Sequence, residues 1–196
     1  MSMPNHCIKM ISFLAALSLQ VWNAGTCWSE EPGSGSPLPS SGMIHELKLG
    51  FLKHDVDNLW SSFSREEGWD INLEMSLTPS VELWGGLLRP ALGGSLNHTG
   101  DTSKIYLDGR WERDLDNALY TSIGLGLALH DGEKKLVRND RKALGSTLLI
   151  HVPLELGYRL DLHNSLSLYF DHMSNAYTQS ENEGMDSLGI RYGYRF

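Results

Sequence analysis

From residue 43 to residue 196, apolar and polar side chains alternate with a period of two in one segment after another, the spacing of strands with one apolar face and one polar face. The last segment, 186–196, is the clearest: Leu188, Ile190, Tyr192, Tyr194 and Phe196 share one face, while Gly189, Arg191, Gly193 and Arg195 share the other. The same alternation runs through 43–53, 68–78, 104–113, 118–130, 144–159 and 165–174. Residues 81–96 are blurred by Gly85, Gly86, Pro90, Gly93 and Gly94, which predicts a bend or bulge. Pro79 and Ser80 predict a tight turn before it.

These segments number eight, an even count that leaves both ends on one side. They run about ten residues each, and short turns alternate with longer connections. Carried around a closed sheet, the apolar face points outward. Inside, Glu46, Lys48, Asp70, Glu74, Arg110, Glu112, Glu155, Arg159, Arg191 and Arg195 bring opposite charges together and fill a narrow lumen. The fold expected is all-β, an eight-stranded antiparallel up-and-down transmembrane β-barrel of the outer membrane. No run is long and apolar enough for a membrane helix, and mean hydropathy is slightly negative, as alternation requires.

Composition refines this picture at the two ends of the chain. Lys9 followed by the largely apolar run 10–19, with small residues near Ala24, reads as an export signal over residues 1–28. Both cysteines, Cys7 and Cys27, fall within it, so no disulfide is expected in the barrel. Residues 29–42 are rich in Ser, Pro and Gly and read as a flexible segment, leaving 43–196 as the barrel domain. A formal charge of −8 argues against nucleic acid as a partner.

The apolar face of the seventh segment, Leu166, Leu168 and Phe170, continues into His172 and Ser174, and that of the eighth begins with Asp186. Polar and ionisable groups on a lipid-facing surface are costly, which makes them candidates for function. His172 and Ser174 are two apart on a strand, with α-carbons about 6.5 Å apart, so the imidazole can reach the hydroxyl. Asp186 on the neighbouring strand can hold the other ring nitrogen and fix the tautomer. In the loop after the fifth segment, Lys134, Lys135, Arg138, Arg141 and Lys142 form a basic run that suits phosphate groups, or equally a solvated loop with Asp131, Glu133 and Asp140.

The run His172, Met173, Ser174, Asn175, Ala176, with Asn182, Gly184 and the closing LGIRYGYRF, resembles the signature of the PagL family, the lipid A 3-O-deacylases. The resemblance is concentrated in residues 171–196 and elsewhere extends to the strand pattern alone. It implies an eight-stranded outer-membrane esterase that removes the acyl chain at position 3 of lipid A, with Ser174 as nucleophile and His172 as general base. Asp186 stands at the family's acid position, where Glu is typical. Asn175 matches a residue linked to oxyanion stabilisation, and Tyr177 stands where a glycine commonly follows. The resemblance implies no metal and no cofactor. The partners expected are lipid A (lipopolysaccharide) and outer-membrane lipids, with a homodimer left open. Competing readings are a non-enzymatic structural or adhesive barrel and an outer-membrane phospholipase.

Overall fold

The computed structural model describes residues 42–61 and 63–196. The expected export signal (1–28) and nearly all of the flexible segment (29–42) lie outside the described residues. Nine strands follow in order: β1 (Ile44–Lys53), β2 (Trp69–Leu77), β3 (Val81–Leu83), β4 (Gly86–Asn97), β5 (Lys104–Asp114), β6 (Leu119–His130), β7 (Leu148–Arg159), β8 (Asn164–Ser174) and β9 (Met185–Arg195). All pairings are antiparallel, most of them between chain neighbours, and β1 pairs with β9, the last strand. Because β2 also pairs directly with β4, the ring closes with eight staves, and β3 is an extension at one rim.

That extension corrects one expected turn. Val81 pairs with Leu88 while Ser76 pairs with Ala91, so β3 continues the direction of β2 and residues 78–80 interrupt one staggered stave. The reversal comes at Trp84 and Gly85, both in the left-handed region with φ of 50° and 71°. Two consecutive positive φ values suit a two-residue hairpin.

Outside the barrel, Leu49, Phe51, Ile71, Leu73, Leu107, Leu125, Leu168 and Ile190 are exposed, a belt of apolar side chains on strands long enough to cross a bilayer at a tilt. The interior is charged and packed. Lys48 Nζ lies 2.9 Å from Glu155, and Arg191 bridges Glu155 at 2.5 Å and Glu74 at 3.0 Å. Arg110 also pairs with Glu74. Both Arg191 and Arg110 lie over the Tyr169 ring, with Arg191 3.8 Å from its centroid. Gly157 makes room for the Tyr120 ring, since a β-carbon there would lie 2.1 Å from it. Buried charges persist only when paired and hydrogen-bonded, and these are both.

Long connections cluster at the end of the barrel to which β1, β6 and β8 lead: residues 54–68, 131–147 and 175–184. They rest on one another through Arg65 and Glu183 (3.0 Å), the Ala143 amide and Glu183 (2.6 Å), and the Lys142 amide and Glu66 (3.0 Å).

Candidate active site

β8 carries Phe170, His172 and Ser174 on its outward side, and β9 places Asp186 directly opposite His172 in the ladder. Side chains in such a cross-strand pair stand roughly 5 Å apart at their β-carbons, so a short carboxylate reaches the imidazole without a further methylene. The resulting chain is continuous. Asp186 Oδ1 lies 2.6 Å from His172 Nδ1, and His172 Nε2 lies 3.0 Å from Ser174 Oγ. With Asp186 accepting from Nδ1–H, Nε2 is left to accept the Ser174 proton, the arrangement needed for a hydroxyl to act as nucleophile.

Three polar groups on a lipid-facing wall are tolerated here because loop 54–68 folds over two of them. Asp186 is fully buried and His172 is 7 % exposed, while Ser174 stays half-buried. The second oxygen of Asp186 accepts hydrogen bonds from the backbone amides of Trp60 and Ser61, each at 2.6 Å. Val56 N–H donates to the Asp186 carbonyl at 2.8 Å. The Trp60 ring stacks on the His172 imidazole, centroids 4.6 Å apart and planes 13° from parallel, and continues towards Phe170. Trp60 and Ser61 therefore join the site, although they lie in a connection to which the strand alternation assigns no role. The signal available was the pair of aromatics, Trp60 and Phe63, within that connection.

On the other side of Ser174 the chain turns sharply. Ala176 and Tyr177 both take left-handed conformations, φ 51° and 63°, so position 177 is one that glycine would occupy without strain. Thr178 donates both its N–H (3.1 Å) and its hydroxyl (2.8 Å) to the Asn175 carbonyl. Asn175 itself is bound into the loops. Its Nδ2 donates to the carbonyls of Leu144 (3.0 Å) and Glu181 (2.5 Å), and its N–H donates to Asn182 Oδ1 at 2.9 Å. The Asn175 side chain, at the position that the resemblance links to oxyanion stabilisation, thus ties its own loop to the one after β6. Gly184, φ 58°, lies beside the imidazole, where a β-carbon would come 3.1 Å from Cε1 of His172.

Of the five basic residues after β6, Lys142 turns inward, Arg141 is half-buried and Arg138, Lys134 and Lys135 lie on the surface. Lys142 is fully buried, 3.2 Å from Asp55, Arg141 pairs with Asp101 at 2.8 Å, and Arg138 pairs with Asp140 at 2.6 Å. Lys134 and Lys135 remain exposed. Among the described residues no cluster of metal-binding side chains occurs.

Comparison with known proteins follows the same lines. The sequence matches the family described as lipid A 3-O-deacylase (PagL) over residues 13–195. The fold is similar to the crystal structure of the outer membrane enzyme PagL, with a TM-score of 0.56 and 17% identity, covering 76% of this chain and 99% of that one. It is less similar to the Yersinia pestis outer membrane protein Ail, with a TM-score of 0.48 and 9% identity over 79% of this chain and 100% of that one. No curated protein is significantly similar to the chain in sequence.

Proposed function

The chain belongs to the PagL family, the lipid A 3-O-deacylases, and on that premise we propose that Ser174, His172 and Asp186 carry out the hydrolysis at the outer wall of a barrel embedded in the outer membrane. Ser174 Oγ attacks the carbonyl of the ester at position 3 while His172 Nε2 takes its proton. The tetrahedral adduct collapses as His172 returns that proton to the departing sugar oxygen, leaving the acyl group on Ser174. Water, activated by the same imidazole, then releases the hydroxy fatty acid. Asp186 holds the ring in the tautomer that accepts from serine and stabilises the imidazolium formed in each half.

The observation that carries this reading is the unbroken hydrogen-bond chain from Ser174 through His172 to Asp186, open to the side at the serine and closed over the acid. Such a site takes its substrate laterally from the outer leaflet. Asn175 acts by shaping the turn after the nucleophile. The N–H groups of Ala176 and Tyr177, which donate to no described residue, are the oxyanion donors this turn offers. Residues 1–28 act as the export signal. The test is purified barrel in detergent micelles given lipid A or a diacyl glycerophospholipid. Release of 3-hydroxy fatty acid from lipid A alone is expected, and preferential attack on the glycerophospholipid would make the protein a phospholipase instead.

A further inference from the structure

We propose that Lys142, outside the Ser174–His172–Asp186 chain, is a positioning residue of the active site: its buried ammonium fastens loop 54–68, from which Trp60 and Ser61 hold Asp186 and Trp60 covers His172. The inference rests on the deacylase reading and extends it to a part of the molecule remote in sequence.

Two amides can fix Asp186 only if the loop that bears them is itself fixed. Lys142 touches that loop at three points. Its Nζ lies 3.2 Å from Asp55 Oδ1 at the loop's start, donates to the Phe63 carbonyl near its middle, and sits 4.5 Å from the centre of the Phe63 ring. Its backbone N–H donates to Glu66 Oε1 at 3.0 Å, near the loop's end. Asp55 ties the two arms together, since its Oδ2 accepts from the amides of Arg65 (2.6 Å) and Glu66 (3.0 Å).

A lysine with no exposure to solvent cannot meet the phosphates of a substrate, so its charge serves the interior. Burial pushes the Asp55 carboxyl up, against the opposing pull of Lys142 and the two amides. The carboxylate therefore depends on the ammonium beside it. The residues that follow reach the nucleophile's side: Ala143 N–H donates to Glu183, and the Leu144 carbonyl accepts from Asn175. Residues 142–144 are thus a keystone between the loop that holds the acid and the turn that follows the serine.

The test uses the full-length barrel in micelles. Lys142→Met keeps the length of the side chain and removes its charge, and Asp55→Asn removes the partner. In both variants, barrels that retain heat-modifiable gel mobility should show at least tenfold faster hydrogen exchange at the Trp60 and Ser61 amides. The kcat for hydroxyacyl release should fall at least tenfold, with KM within about twofold. The double variant, with neither charge buried, should recover part of both losses. A rise in KM at constant kcat would make Lys142 a substrate-binding residue and overturn the proposal, as would unchanged exchange at residues 60–61. Faster exchange with kcat intact would show that the clamp is not needed for catalysis and would equally overturn it. If the wild-type barrel releases no hydroxy fatty acid, the deacylase reading fails, and the exchange arm still decides whether Lys142 fastens the loop.

Discussion

Replacing Asp186 by Asn sets two demands on one oxygen. In the native site one carboxylate oxygen faces His172 Nδ1 at 2.6 Å, and the other accepts from the amides of Trp60 and Ser61, also at 2.6 Å. An asparagine has a single acceptor. Turned towards the loop it satisfies two N–H donors, and turned towards His172 it satisfies one. A buried donor left unpaired costs about 1–3 kcal/mol, so the loop should win by roughly that margin. The amide NH2 then faces the imidazole, which must present a bare Nδ1 and carry its proton on Nε2. In that tautomer it cannot accept from Ser174. The same substitution in a serine hydrolase triad lowers kcat about ten-thousand-fold, equivalent to roughly 5 kcal/mol in the barrier, and a loss of that size is expected here. The assay is hydroxyacyl release from lipid A by purified, heat-modifiable barrel, with hydrogen exchange at residues 60–61 followed in parallel. Exchange should stay slow while activity collapses. Activity within tenfold of wild type would refute the assignment of Asp186 as the group that sets the tautomer.

Gly184→Ala adds a β-carbon 3.1 Å from the His172 ring at a residue with φ 58°, so about 1–2 kcal/mol of backbone strain and a displaced imidazole should lower kcat roughly tenfold; an unchanged rate would show that the ring has room to move. Arg191→Met leaves Glu74 and Glu155 buried without their shared cation and should destabilise the barrel by about 3–5 kcal/mol in urea titrations of micellar protein, whereas a change under 1 kcal/mol would mean that Lys48 and Arg110 suffice. At the root of loop 54–68, burial alone would lower the pKa of His54, but hydrogen bonds to Asp70 and Glu66 raise it to about 9. Because the folded value lies above the ordinary 6.5, this contribution is complete below about pH 6.5 and is lost as pH rises through 9. Glu66 is held at about 2 against burial by His54 and by the amides of Lys142 and Thr102, so its contribution is present above its ordinary 4.5 and disappears as pH falls towards 2. Hydrogen exchange of the loop, corrected for intrinsic rates, should therefore be slowest between about pH 4.5 and 6.5, and protection that holds steady to pH 10 would contradict this.

Much of this architecture is written in the period-two pattern. The barrel, its even stave count and its outward face follow from alternation, because a slip of one residue would turn a whole strand inside out. His172 and Ser174 were legible for the same reason, and Asp186 was legible by parity across the hairpin. The turn was harder. Pro79 and Ser80 carry the usual turn residues, yet the chain reverses at Trp84 and Gly85, where a tryptophan accepts a left-handed conformation that its type seldom adopts. Long-range loop packing was not legible at all. The amides of Trp60 and Ser61 meet a carboxylate about 125 residues away, and a backbone N–H carries no side-chain signal of its partner. Lys142 looked like part of a solvated basic run, since nothing local distinguishes a buried lysine from its exposed neighbours Lys134 and Lys135. Asn175, conspicuous beside Ser174, bonds Glu181 and Asn182 within its own loop, but its bond to the Leu144 carbonyl depends on a second loop that only the folded chain brings near.

The most direct measurement is mass spectrometry of lipid A from cells producing the wild-type chain or Ser174→Ala, with folding of each barrel checked by heat-modifiable mobility. Loss of the mass of one 3-hydroxyacyl group with the wild type, and none with Ser174→Ala, is the predicted result. Equal loss with both chains, or none with either from folded barrels, would contradict Ser174 as the nucleophile of a lipid A deacylase.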